Sequence, residues 1–199
     1  MWQSNKHKFT TASLILVLSA AFIGLSSQVY AADQPTLKNE GTVSQDQSRE
    51  TRRLVREIRH ELLTLPWYGV FDWLEGTIGP NGVVTLRGWV TRPTTKSDAE
   101  ARVKEIEGVE RLVSEIKVLP LSPNDDRIRR AVYFALFGND SPLFRYALGA
   151  NPTIHIIVDN GRVTLKGSVS SEADRNIANV KARGVSGVFA VNNDLVVER

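Results

Sequence analysis

The chain carries the stretch Asn81-Gly82-Val83-Val84-Thr85-Leu86-Arg87-Gly88 and repeats it as Asn160-Gly161-Arg162-Val163-Thr164-Leu165-Lys166-Gly167. The two copies are 79 residues apart (160 − 81 = 79), and the same offset relates Gly108-Val109 to Gly187-Val188. A constant offset over so long a span indicates an internal duplication. Because two copies are too few for a solenoid, each copy is predicted to be a small domain of its own.

Each copy has the pattern of a β-hairpin flanked by helices. The Asn-Gly pair favours a type I′ turn, which requires positive φ angles. Val84, Leu86, Gly88 and Val90 then alternate with more polar residues, as in a half-buried strand. Apolar residues at helical spacing precede the hairpin and follow it in both copies. The predicted order in each unit is helix, strand, strand, helix, strand.

The four predicted helices are placed by their periodicity and by their end signals. The first helix is predicted from about Gln47 to Leu63, and the second from the capping box Ser97-x-x-Glu100 to Gly108, which ends it. The third helix is predicted to be capped by Asn124 or Asp125. The fourth is predicted from Glu172 to Arg183, with an apolar face of Ala173, Ile177 and Val180. The last strand is predicted from Asp194 to Val197.

The first residues have the three parts of a secretory signal. Residues 1–10 are polar and basic, residues 11–25 are almost entirely apolar, and Val29-Tyr30-Ala31 ends a small-residue cleavage site. The apolar run is shorter than the ~20 residues of a spanning helix, which disfavours an uncleaved anchor. We therefore predict a signal peptide over residues 1–31, with cleavage after Ala32 as the alternative, and a flexible leader over residues 32–47.

Composition and charge limit which cellular compartment and which classes of partner the sequence predicts. The formal net charge of +3 falls to about +1 when Lys6 and Lys8 leave with the signal (3 − 2 = 1), and acidic and basic residues are interspersed, so nucleic-acid binding is not predicted. The chain has no cysteine, which excludes disulfides, thiolate metal sites and lipid attachment at a cysteine. These features together predict a periplasmic protein that is not a lipoprotein.

Aromatic residues supply the candidate contact surface. The candidates for contact with a lipid or a partner are Trp67, Tyr68, Trp89, Phe144, Arg145 and Tyr146. The rings near Trp67 either close the core between helix and sheet or form a partly exposed surface. Trp89 falls on the more polar face of its strand, where it contacts a partner or covers the edge of its own domain. Phe144 and Tyr146 beside Arg145 combine apolar anchors with a phosphate-binding group.

The sequence has no pattern that indicates catalysis or a metal site. His60 lies late in a predicted helix and His155 in a predicted strand, in different units and without metal-ligand spacing. Asp125 and Asp126 suit the first turn of a helix, where acidic side chains are stabilised. His155 is predicted to be a hydrogen-bonded or surface residue rather than a base. We therefore predict no catalytic residue, no cofactor and no metal.

The repeated stretch and the later segment resemble the BON domain family. The resemblance is carried by Asn-Gly-x-Val-Thr-Leu-x-Gly in both units and by Gly187-Val188 followed by Val191-Asn192-Asn193-Asp194-Leu195-x-Val197. Unit one departs from the pattern after Gly108, where it lacks the asparagine. The resemblance implies a fold of the α/β (α+β) class: two tandem small domains, each with two helices packed on a three-stranded mixed sheet (αββαβ), over residues 48–119 and 125–199 with a linker at 120–124.

The resemblance also implies a role. The motif residues of the family are structural, and here they are Asn81, Gly82, Gly88, Gly108, Asn160, Gly161, Gly167 and Gly187. Signal-bearing proteins with two such modules are similar to osmotically inducible periplasmic proteins, which are non-enzymatic, linked to envelope stress and in some cases bind anionic phospholipid. The expected partner is therefore an anionic phospholipid surface. An envelope protein bound by an interaction or chaperone-like module is the alternative.

Overall fold

The computed structural model describes residues 40–149 and 151–198, which form two successive α/β units. Unit one consists of α1 (Glu40–Leu63), β1 (Trp73–Ile78), β2 (Val83–Val90), α2 (Pro93–Lys104) and β3 (Arg111–Val118). Unit two consists of α3 (Pro123–Phe137), β4 (Ile154–Asp159), β5 (Arg162–Val169), α4 (Glu172–Arg183), β6 (Ala190–Asn193) and β7 (Val196–Val197). A short 3₁₀ turn, Phe144–Ala147, follows α3. The predicted signal peptide and the leader residues 32–39 lie outside the described residues.

Both units build the same mixed sheet, which confirms the predicted fold class. In unit one the strand order is β1-β2-β3, with β1 antiparallel and β3 parallel to β2. In unit two β4 is antiparallel to β5, while β6 and β7 are both parallel to it. The last strand therefore starts at Ala190 rather than at Asp194, and it is interrupted at Asp194 and Leu195, where the side chain of Leu195 is buried.

The first helix of each unit covers one face of its sheet. Leu54, Ile58 and Leu62 of α1 are buried against β1 and β2 in one core, and the corresponding residues of α3 are buried in the second core. Full burial of each such side chain contributes about 1.5–3 kcal/mol. Because no described residue belongs to both cores, each unit has its own hydrophobic driving force.

Three predicted helix starts are wrong. The first helix begins at Glu40, so residues 40–47 of the predicted leader are helical; once a helix is nucleated, each further residue adds a hydrogen bond at little cost. The second begins at Pro93, because proline suits the first helical position, and the Ser97 hydroxyl donates to the Thr94 carbonyl inside the helix. The third is capped by Ser122, whose Oγ accepts from the Asp125 N–H.

The buried face of α4 also differs from the prediction. Ala178 and Ala182 are fully buried, whereas Ala173 is exposed and Val180 is 69% exposed. The two alanines stand 79 residues after Ala99 and Val103, the buried apolar residues of α2, so the helices of the two units are in register. The periodicity misleads because small alanines bring α4 close to the sheet while a larger valine faces solvent. The second helix likewise ends at Lys104, before Gly108.

Positive φ angles mark the repeated motif. Asn81 and Asn160 have φ angles of 55° and 51°, and each precedes a glycine that also has a positive φ, as the Asn-Gly turn requires. The remaining motif glycines, Gly88, Gly108, Gly167 and Gly187, have positive φ as well. At Gly88 a Cβ atom would lie 1.9 Å from the Trp73 carbonyl oxygen, because the main chains of the paired strands β1 and β2 come very close together there. The same clash, with the Thr153 oxygen, would occur at Gly167.

We expect Gly88→Ala to destabilise unit one by about 3 kcal/mol or more, because it combines a strained backbone with a clash against a carbonyl oxygen. Urea unfolding followed by tryptophan fluorescence measures the effect. Gly69→Ala is the matched control, since a Cβ atom there has nothing within 4 Å. If the two variants were equally stable, the close contact between Gly88 and the Trp73 carbonyl would not be what requires glycine at this position.

Candidate functional site

A connector between α1 and β1, Leu65–Asp72, joins the two units. The main-chain N–H of Ile156 in β4 donates to the Val70 carbonyl at 2.7 Å, and the side chains of Val70 and Phe71 pack against the core of unit two. The sequence predicts that β1 starts at Phe71. It starts at Trp73, because Phe71 is used by the other unit, where its ring lies 6.2 Å from that of Tyr133.

A buried carboxylate fixes the shape of the connector. Asp72 is 2% exposed, and its Oδ1 accepts hydrogen bonds from the N–H and the hydroxyl of Thr91 at 2.6 and 2.9 Å. Its Oδ2 accepts from the Gly69 N–H at 3.1 Å. These bonds hold the connector against the end of β2, and so present Gly69 and Val70 to unit two.

His155 lies buried at the contact between the units. Its Nδ1 is 3.2 Å from the Gly69 carbonyl oxygen, and its ring lies 5.6 Å from that of Tyr68 and 5.2 Å from that of Trp73. Burial lowers the pKa of His155 and raises the pKa of Tyr68 to about 12. Both side chains are therefore neutral at pH 7, and they serve the contact between units.

Trp89 contacts the other unit as well. It lies on the open face of the sheet, as predicted, and Lys166 Nζ of unit two is 6.0 Å from the centre of its ring. The same ammonium group forms an ion pair of 3.0 Å with Asp194. A cleft of about 770 Å³ lies beside this contact, between α1 and β1 of unit one and β5 of unit two. Trp89 and Tyr68 thus contact residues of unit two within the same chain.

Tyr146 and Arg145 belong to a network at the start of α4. Tyr146 is 7% exposed; its hydroxyl donates to an Asp174 carboxylate oxygen at 2.9 Å and accepts from the Ser170 N–H at 2.8 Å. Arg145 pairs with the same carboxylate at 2.6 Å. The Ser171 hydroxyl, followed by Tyr146 and Arg145, lowers the pKa of Asp174. Of this predicted trio only Phe144, which is 41% exposed, presents an apolar side chain to solvent.

The outer face of α3 carries an exposed phenylalanine that the sequence analysis missed. Phe134 is 68% exposed and lies opposite the buried residues Ile128 and Val132. Arg127 and Arg130 precede it at helical spacing on the same face and are both exposed. The available signal was a large apolar residue on the polar side of a predicted helix.

A second phenylalanine extends this face. Phe189 is 74% exposed, and the Arg162 guanidinium lies 4.7 Å from its ring centre. Arg127 reaches the loop before Phe189, where it donates to the Ser186 carbonyl at 3.2 Å, and it also donates to Asn124 Oδ1. Both acceptors are neutral oxygens, so the charge of Arg127 is not cancelled by a carboxylate there. We call Arg127, Arg130, Phe134, Arg162 and Phe189 the α3 surface.

Unit one has its own exposed aromatic residue. Trp67 is 70% exposed at the tip of the connector and has a φ of 67°. The Arg92 guanidinium lies 4.7 Å from its ring centre. A cation over an aromatic face is attracted by about 0.5–1 kcal/mol at an exposed site. Trp67 is therefore the predicted contact residue of unit one that remains open to solvent.

Within residues 40–149 and 151–198, no three or more His, Asp or Glu side chains come together as metal ligands would. In the same residues, no helix combines the length and apolar character that crossing a bilayer requires. His60 is exposed on α1, far in sequence from His155.

The buried histidine predicts a pH dependence. Because its pKa is lowered in the folded chain, His155 stabilises the contact in its neutral form, and stability is lost as the pH falls below about 6.5. We expect His155→Phe to reduce the loss of stability between pH 7 and pH 5, measured by urea unfolding at each pH. His60→Gln is the control. A pH dependence unchanged by His155→Phe would contradict this account.

Comparison with known proteins is consistent with the duplication. A family model described as BON domain matches residues 79–120 and 124–199. No curated protein matches the chain. Two solved structures of CdsD, a structural protein of the type III secretion system of Chlamydia trachomatis, are each 14% identical over 73% of this chain. They are covered to 98% and 92% of their lengths, with TM-scores of 0.29 and 0.28, which are too low to support an argument.

The two matched segments fall on both repeated units. The first covers the hairpin turn, β2, α2 and β3 of unit one, and the second covers unit two from the start of α3. The unmatched part of unit one is α1, the connector and β1, and the connector in this part packs on unit two. Since the matched residues make up more than half of the chain, this protein belongs to the BON domain family.

Proposed function

We propose that this chain is a non-enzymatic periplasmic protein that binds anionic phospholipid surfaces and serves envelope or osmotic-stress homeostasis. The observation that carries the proposal is the α3 surface, where Phe134 and Phe189 are exposed beside arginine side chains. Export rests on the signal pattern of residues 1–31. The link to envelope stress rests on the resemblance to signal-bearing proteins with two BON domains.

The chemistry of the α3 surface suits a lipid interface. Apolar rings that are exposed in water gain free energy when they enter the boundary between headgroups and acyl chains. Basic side chains near an anionic leaflet each contribute about 1 kcal/mol of attraction. Arg127 and Arg130 stand within two turns of Phe134, so one approach brings the ring to the acyl boundary and the guanidinium groups to phosphates.

The helix is well placed for such an approach because its opposite face is firmly held. Asp125 is 1% exposed and accepts hydrogen bonds from the main-chain N–H groups of Asn160 and Gly161, both at 2.9 Å. This contact ties α3 to the hairpin turn of unit two. Arg127, Arg130 and Phe134 are therefore presented on a firmly held helix, which lowers the entropic cost of binding.

We expect the purified chain to float with vesicles of anionic phospholipid at low salt, and much less at high salt or with neutral vesicles. Phe134→Ser and Arg130→Glu should each lower the bound fraction several-fold, because one removes an apolar anchor and the other reverses a charge. Arg56→Glu is the matched control, an identical charge reversal at an exposed position of α1. Trp67→Ser reports whether unit one also contributes.

Two results would overturn the proposal. The first is the absence of binding to any vesicle. An envelope protein would then be the favoured partner, and crosslinking in intact cells would be the next experiment. The second is binding that is unaffected by both Phe134→Ser and Arg130→Glu, since the α3 surface would then not be in contact with lipid.

A further inference from the structure

The outer strands of the two units differ at one repeated position. Asn193 of β6 donates from Nδ2 to the Arg175 carbonyl of α4 at 2.8 Å, which ties the edge of the sheet to the helix. The residue 79 positions earlier is Ser114 of β3, since the two stand opposite Leu165 and Leu86. Its hydroxyl oxygen is buried and has no hydrogen-bond partner in the described chain. A groove of about 740 Å³ lies between α2 and β3 at this point.

The free edge of β3 is long and regular. β3 pairs with β2 over eight residues without interruption, whereas the outer strand of unit two is broken between β6 and β7. The Leu119 N–H donates to the Val90 carbonyl, so in the alternation of a parallel ladder the main-chain groups of Leu112, Ser114 and Ile116 point away from β2. In the described residues no strand pairs with that side. An unpaired edge of this kind is a template for another strand.

The charges along β3 are complementary to themselves in one antiparallel register. With a two-fold axis at Val113, Arg111 of each copy stands opposite Glu115 of the other, and the two Val113 side chains face each other. Glu115 is also paired with Arg87 of its own chain at 2.7 Å, so in this register each Glu115 carboxylate lies between two guanidinium groups. An axis at Ser114 would place Arg111 opposite Lys117, and an axis at Glu115 would place like charges together. Opposite charges in cross-strand pairs are stabilising and like charges are destabilising.

We propose that β3 is an interface at which a second copy of this chain adds its own β3 antiparallel, in the register centred on Val113. The pairing would join two three-stranded sheets into one of six strands. It satisfies the outward main-chain groups of Leu112 and Ser114, which exchange hydrogen bonds across the axis. The interface is in unit one and the α3 surface is in unit two, so this inference is independent of lipid binding.

The absence of cysteine from the chain permits a direct test of the register. Residues opposite each other on antiparallel strands bring their Cβ atoms to about 5 Å, from which a disulfide forms after a small adjustment. The full chain, purified after its natural processing and carrying Val113→Cys, should form a covalent dimer under mild oxidation. Asn192→Cys is the matched control, because it is the same position in unit two, opposite Thr164 as Val113 is opposite Thr85.

Charge reversal tests the pairing without a covalent bond. Arg111→Glu should raise the dimer dissociation constant at least tenfold in sedimentation experiments, since it places like charges opposite each other. Glu115→Arg should do the same, and because it also removes the ion pair with Arg87 of its own chain, urea unfolding checks that this variant is folded. Mixing the two variants restores opposite charges at both pairs, so dimers should reappear in the mixture. The proposal is overturned if the wild-type chain is monomeric at high micromolar concentration, if Asn192→Cys crosslinks as readily as Val113→Cys, or if the mixture stays monomeric.

Discussion

The contact between the two units of this protein depends on the hydrogen bond from the Ile156 N–H to the Val70 carbonyl. This bond satisfies the outward N–H of Ile156 in β4 with main chain from unit one, and the side chains of Val70 and Phe71 pack on the core of unit two. Asp72 makes the arrangement possible by holding the connector against Thr91. Tyr68, Trp73 and His155 then close the contact with neutral rings. Part of an edge strand that would otherwise be open is thereby protected.

The duplication has produced two units with the same scaffold and different surfaces. A constant offset of 79 residues (178 − 99 = 79) relates three features of the two units. They are the hairpin turn, the glycine where the first two strands approach most closely, and the buried apolar residues of the second helix. The edges do not correspond. In unit two, β4 is hydrogen-bonded to the connector and β6 is tied to α4 by Asn193, while in unit one the outer edge of β3 has neither device.

This division separates the surfaces that are available for binding. The α3 surface belongs to unit two, and its contacts are made through helix and loop side chains. Unit one presents the long edge of β3 and the exposed ring of Trp67. Because the two surfaces lie on different units, the proposed membrane contact and the proposed contact between copies would not compete for the same residues.

By itself the sequence determined the duplication, the order of elements in each unit and the hairpin turns, because these depend on local spacing and on residues such as Asn-Gly that accept positive φ. It also placed Trp89 on the more polar face of its strand and named Phe144 as a candidate contact residue, but it left open whether the rings near Trp67 close the core or face solvent. Only the tertiary structure decided that Tyr146 is buried beside Asp174, that Phe71 serves the other unit and that Phe134 is the exposed ring of α3. The physical reason is that the exposure of an aromatic side chain depends on what packs against it across the chain. Periodicity within one element gives the direction in which a side chain points and leaves open whether another element covers it.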